Sequence, residues 1–197
     1  MPNYADINGR PMKKLQIQQY LRKLQLNDFE PAVNLATLTK LQDAHLKYIP
    51  YENFDCLNGK ITSLKRQDMF NKVIMHNRGG ICFELNGLYN WLLESLGFDV
   101  TSYSARFIDK METYQLRRHR VMCVALGDKR YLTDVGVNSE SPRVPLEIVE
   151  GLIQSDGISQ YKFTRSELSI PILSHFSHDL LHTCYIRYVL YMYSYHF

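Results

Sequence analysis

The order of its hydrophobic periods predicts that this chain folds as an α+β protein, helices first and strands after. Up to Gly97, apolar residues recur at the spacing of helices that bury one face. Past Gly97 the pattern shifts to β-branched and aromatic runs bounded by turn residues, as in strands. That segregation speaks against an alternating α/β layout. With 197 residues the chain can bury a sizeable core, as one compact unit or two small ones.

Four helices are expected, together forming a bundle. Residues 12–26 carry Leu15, Leu21 and Leu24 at helical spacing and end near Asn27. A second helix starts around Thr37, buries Leu38, Leu41 and Tyr48, and stops at Pro50, which cannot continue it. A third covers residues 64–76 with Phe70, Val73 and Ile74 inward. The fourth starts at Cys82, aligns Leu85, Leu88, Leu92 and Leu96, and ends at Gly97. Strands follow at residues 100–107, in a hairpin over 119–135, and at 146–149 and 161–163. The chain thus divides into a helical domain (1–97), a β domain (98–170) and a tail (171–197). In the tail, Asp179 and Arg187 are the only Asp, Glu, Lys or Arg residues, and tyrosine stands at 185, 188, 191, 193 and 195. Such a segment is either β-rich, since tyrosine and valine favour strands, or the aberrant end of a once longer protein.

The chemistry concentrates in Arg78-Gly79-Gly80-Ile81-Cys82-Phe83-Glu84-Leu85-Asn86. A cysteine in the first turn of a helix faces unpaired backbone N–H groups and the positive end of the helix dipole. Both favour thiolate over thiol. Gly79 and Gly80 have no side chains, so backbone or substrate can approach the sulfur. Cys82 therefore reads as a nucleophile. Cys123 lies in an apolar strand and reads as core. Cys56, Cys82, Cys123 and Cys184 form no Cys-x-x-Cys pair, so neither a zinc site nor a disulfide framework is expected.

A nucleophilic thiol needs a base. His119 opens the first strand of the hairpin and Asp134 closes the second. If Gly127-Asp128 is a two-residue turn, Leu126 pairs with Lys129 and Asp134 falls opposite Val121. His119 and Asp134 are then diagonal neighbours on one face, roughly 7–8 Å apart along the backbone, within reach of their side chains. A three-residue loop would put them on opposite faces. With the register that brings them together, an imidazole serves the thiol and a carboxylate fixes the imidazole tautomer.

Together, residues 78–86, His119 and Asp134-Val135-Gly136 resemble the signature of the arylamine N-acetyltransferases. Ile49-Pro50-Tyr51-Glu52-Asn53-Phe54 is similar to that family's Pro-aromatic-Glu-Asn-hydrophobic element, and Pro142 and Pro145-Leu146-Glu147-Ile148 fit its later β region. The resemblance runs from about residue 10 to about residue 165. It implies a helical domain, an antiparallel β-barrel, a papain-like Cys-His-Asp core and a C-terminal α/β lid. Cys82 would be the nucleophile, His119 the base and Asp134 the orienting acid. The implied reaction is ping-pong: Cys82 takes acetyl from acetyl-CoA as a thioester, CoA leaves, and an arylamine, arylhydrazine or N-hydroxyarylamine takes the acetyl group.

The resemblance carries further roles. Gln115, Arg118 and Gly136 are expected at the CoA cleft, where arginine could meet phosphate. Glu52 and Arg78 resemble an ion pair that braces the nucleophile loop, and Tyr51 an aromatic beside the acceptor pocket. Val137 and Asn138 stand where the family shows an aromatic and a glycine, which alters the acceptor pocket. Family members are longer, so the lid is expected to be missing, with residues 171–197 in its place and activity impaired. Two other readings stay open: a thiol hydrolase or amidase with the same triad, and a truncated, inactive remnant or binding protein.

Composition narrows the partners. A net charge of +3, from 23 basic and 20 acidic residues, suggests neither a nucleic-acid stripe nor a polybasic membrane patch. There is no signal-type apolar region and no apolar run of the ~20 residues that span a bilayer, so a cytoplasmic protein is expected. His175, His178 and His182, with Cys184, have a spacing that could share a helical face as metal ligands. They lack the His-Glu-x-x-His form, and no metal site is expected.

Overall fold

Five helical segments precede eight strands in the computed structural model, which describes residues 10–108, 118–137, 141–165, 171–177 and 187–191. The helices are α1 (Lys14–Lys23), α2 (Leu35–Tyr48), the short α3 (Phe54–Leu57), α4 (Arg66–Phe70), which continues as a π-helical turn (Asn71–Met75), and α5 (Cys82–Ser95). The strands are β1 (Asp99–Ile108), β2 (His119–Leu126), β3 (Lys129–Thr133), β4 (Leu146–Glu147), β5 (Ile153–Ser155), β6 (Ser159–Arg165), β7 (Pro171–Ser177) and β8 (Arg187–Tyr191). The protein is α+β, as its periodicity predicts. Helix α3 and strand β5 were not legible as periodic segments because each is four residues or fewer.

Helix α2 begins two residues earlier than Thr37 because Asn34 caps it, its side chain accepting the Thr37 N–H at 2.8 Å. Tyr48 is not buried as expected but 45% exposed; the chain leaves the helix there and Ile49 takes the core position. Helix α5 is the axis of the molecule. Every residue from Glu84 to Leu93 is buried, because α5 has helices on one side and the sheet on the other. The main core joins leucines of α1, α2 and α5 to Met122, Val124 and Tyr131 of the sheet. A second core of Ala105, Val121, Leu132, Leu146, Tyr161, Phe163 and Leu173 lies on the opposite sheet face.

The strands form one antiparallel sheet in the order β4-β3-β2-β1-β8-β7-β6-β5. This corrects the expected barrel: among the described residues no backbone ladder joins the edge strands β4 and β5. Gln154 explains the gap. Its side chain accepts the Glu147 N–H at 2.7 Å and donates to the Glu147 carbonyl at 2.8 Å. Those are the outward-facing groups that a β4–β5 ladder would have used. The tyrosine-rich tail supplies β7 and β8, which stand in this sheet between β6 and β1. The β2–β3 hairpin has the register that the site needs. Leu126 pairs with Lys129 across Gly127-Asp128, and Gly127 takes a left-handed φ of 64° to make that turn.

Candidate active site

Three elements meet at the start of α5. Cys82 is the first residue of the helix, at the end of the Gly79-Gly80-Ile81 approach. Residues Tyr51 and Gly80 bridge, and the Glu52 N–H donates to the Gly80 carbonyl at 3.0 Å. The two glycines serve this packing. A Cβ on Gly79 would lie 2.0 Å from the Pro50 carbonyl oxygen, and one on Gly80 would lie 2.9 Å from Glu84 Oε2. Their missing side chains therefore make room for the protein's own loop and carboxylate, not only for a substrate.

His119 opens β2 and Asp134 follows β3 directly; both are buried. His119 Nε2 and Asp134 Oδ2 are 2.6 Å apart. The Cys82 thiol donates to the Arg118 carbonyl at 3.5 Å, next to the His119 ring. Burial pulls the imidazole toward neutrality, but the Asp134 charge and hydrogen bond, with help from Cys82, outweigh it and lift His119 to about 9. His119 and Asp134 are thus paired, and Cys82 lies near enough to the ring to influence its charge.

Asn86, within the Cys82 motif, is the hub of the hydrogen bonds here, a role the motif alone does not assign. One turn past Cys82 on α5, its amide donates to Asp134 Oδ1 at 2.8 Å and to the Arg120 carbonyl, and its oxygen accepts the Val135 N–H at 2.9 Å. The Gly136 N–H adds a second bond to Asp134 Oδ1, at 2.8 Å. Its i+4 spacing from the cysteine was the available signal, since residues so spaced share a helix face. Gly136, which the resemblance puts at the CoA cleft, packs on Cys82: a Cβ would stand 2.6 Å from Asn86 Nδ2 and 2.9 Å from Cys82 Cα.

The remaining predicted residues are placed as follows. Arg78 donates from Nη2 to Glu52 Oε1 at 2.7 Å and to Asp55 Oδ1 at 3.2 Å; Glu52 is nearly buried and Arg78 is not. Tyr51 is 40% exposed, and burial together with the nearby Cys82 and Cys56 raises its phenol. The Arg118 side chain is exposed, and Gln115 lies outside the described residues. His175 falls in strand β7, so the helical face that this spacing could have formed does not include His175. His178, His182 and Cys184 lie outside the described residues. Among the described residues no group of three or more His, Cys, Asp or Glu side chains is placed to hold a metal ion. No helix among them is long and apolar enough to cross a membrane.

A buried imidazole paired with a carboxylate near a helix-start thiol, on a helical bundle joined to an antiparallel sheet, is the kind of arrangement found in proteins with thiol-based sites. Comparison with known proteins narrows it. An N-acetyltransferase family profile matches residues 34–194. The chain belongs to this family, that of the arylamine N-acetyltransferases. It is 36% identical over 152 residues to the arylamine N-acetyltransferase of Mycolicibacterium smegmatis, covering 74% of this chain and 55% of that protein. The Mycobacterium abscessus arylamine N-acetyltransferase structure superposes with a TM-score of 0.85 at 26% identity, over 99% of this chain and 69% of that one. The Mycobacterium marinum enzyme solved in complex with CoA gives 0.80 at 25% identity, over 91% and 66%. The chain spans about half the length of the curated relatives it matches.

Proposed function

We propose that this protein transfers acetyl from acetyl-CoA to an arylamine, arylhydrazine or N-hydroxyarylamine through an acetyl-Cys82 thioester. The observation that carries the reading is the 2.6 Å contact of His119 with Asp134 beside the first residue of α5. With Nε2 held by the carboxylate, Nδ1 is the nitrogen that exchanges a proton with the thiol. The thiolate adds to the acetyl carbonyl carbon, the carbon–sulfur bond to CoA breaks, and CoA leaves as a thiol with the imidazolium proton. The amine then adds to the thioester, gives its proton back to the imidazole, and Cys82 departs as thiolate. The N–H groups of Cys82 and Phe83 have no acceptor within the helix and are suited to the developing oxyanion. Acetyl-CoA as donor is supported by the CoA complex of the M. marinum relative. Arg118 and Gln115 are the proposed contacts for its polar end, and no metal takes part.

The test is the intact mass of the protein mixed with acetyl-CoA in the absence of amine, followed by peptide mapping. One acetyl group on Cys82, discharged as N-acetylarylamine when amine is added, is the expected result. Release of free acetate without amine would indicate a hydrolase. No adduct on folded, reduced protein, or full transfer by Cys82→Ser, would overturn the proposal in favour of a remnant or another nucleophile.

A further inference from the structure

Behind the nucleophile loop, three carboxylates converge on one ammonium group. Lys72 Nζ lies 2.8 Å from Glu84 Oε1, 2.9 Å from Asp55 Oδ2 and 3.8 Å from Glu52 Oε1. It projects from the π-helical turn Asn71–Met75, a local widening that re-aims side chains relative to an α-helix. Glu84 is 2% exposed, and its Oε2 accepts the Ile81 N–H at 2.9 Å. That amide belongs to the residue that leads into Cys82. Arg78 closes the far side of the cluster on Glu52 and Asp55. Removing Lys72 would leave a buried carboxylate uncompensated two residues from the sulfur.

We propose that Lys72 is a positioning residue for the nucleophile: it holds Glu84 against the Ile81 amide and cancels a carboxylate charge that would oppose the Cys82 thiolate. This rests on the reading of Cys82 as nucleophile. Lys72 acts through Glu84, beside the groups that face the sulfur from other elements. Those are His119 with Asp134 behind it, the Arg118 carbonyl, and Tyr51 from the loop before α3.

The readout is the rate at which iodoacetamide alkylates Cys82, followed by peptide mass across the pH range in which thiols ionise, alongside a thermal melt. Lys72→Met is expected to slow alkylation about tenfold at neutral pH and to move the profile up by about one pH unit. Lys72→Arg keeps the charge and should keep the profile. The double variant Lys72→Met/Glu84→Gln removes one charge of each sign and should return the profile toward that of the unaltered protein. If Lys72→Met does not fold, Glu84→Gln is compared with the double variant, and Glu84→Gln should alkylate faster. A purely structural role for Lys72 would lower the melting temperature and leave the profile in place, which would overturn the proposal. So would equal alkylation by Glu84→Gln and the double variant. Alkylation requires no acetyl-CoA, so its outcome is independent of whether acetyl transfer itself is found.

Discussion

Asn86 holds Asp134 at 2.8 Å from a position one turn beyond Cys82, so Cys82 and the carboxylate paired with His119 are tied to the same helix. Within the hairpin and the loop after it, His119 and the Gly136 N–H already hold Asp134; Asn86 adds the bond that joins it to α5. Because the Asn86 amide also bonds the backbone on both sides of the site, at Arg120 and Val135, it sets the distance between α5 and the β2–β3 pair.

Asn86→Ala should therefore reduce acetyl transfer about a hundredfold, the scale of an ångström-sized misplacement of catalytic groups. It should also cost about 1–3 kcal/mol of stability by leaving buried backbone groups unpaired. Steady-state kinetics and urea unfolding of the variant measure the two effects. Activity within twofold of the unaltered protein would show that the hairpin needs no such anchor.

Gly136→Ala tests the contact from the other side. The new methyl would meet the buried Asn86 at Nδ2, 2.6 Å away, and the half-buried Cys82 at Cα, 2.9 Å away. We expect loss of about 1–3 kcal/mol, typical of overpacking, and a larger fall in kcat than in substrate affinity. Unchanged kinetics would mean that the loop after Asp134 yields easily.

His119 makes stability depend on pH above neutrality. Its folded value near 9 exceeds the ordinary 6.5, so the folded state holds the proton more tightly. The stabilisation is fully present below about pH 6.5 and is lost as pH rises through about 9. Urea unfolding through that window should show the intact protein losing stability relative to His119→Asn, whereas parallel curves would refute the charged pair.

His45 imposes the opposite limit. It is fully buried in the helical core between Tyr20 and Tyr89, with ring centroids 6.0 and 5.3 Å away. Neither of its ring nitrogens has a hydrogen-bond partner among the described residues. Burial pushes it from 6.5 down to about 3, slightly offset by its own backbone. The unfolded chain binds the proton first, so stability should fall by about 1.4 kcal/mol per pH unit as pH drops from about 6.5 toward about 3. His45→Leu should flatten that decline in urea titrations at successive pH values. An equally steep decline in the variant would assign acid sensitivity elsewhere.

Local chemistry made much of this protein legible in its sequence. Helical and strand periods give the α+β class and most elements, because burial of one face leaves its period in the order of residues. The two-residue Gly127-Asp128 turn sets the hairpin register, and with it the shared face of His119 and Asp134. Cys82 was recognisable because the start of a helix is itself a local feature. Short elements such as α3 and β5 left no period to read.

What the sequence determined by itself, then, is which residues could do the chemistry and which elements carry them. Tertiary structure decided how they are held. Lys72 meets Glu84 and Asp55, Asn86 meets Asp134, and Gln154 occupies the edge of β4, through contacts between residues far apart in the chain or on different elements. Such pairings have no sequence period, because they depend on where whole elements pack and on which buried polar groups must be satisfied once water has been excluded.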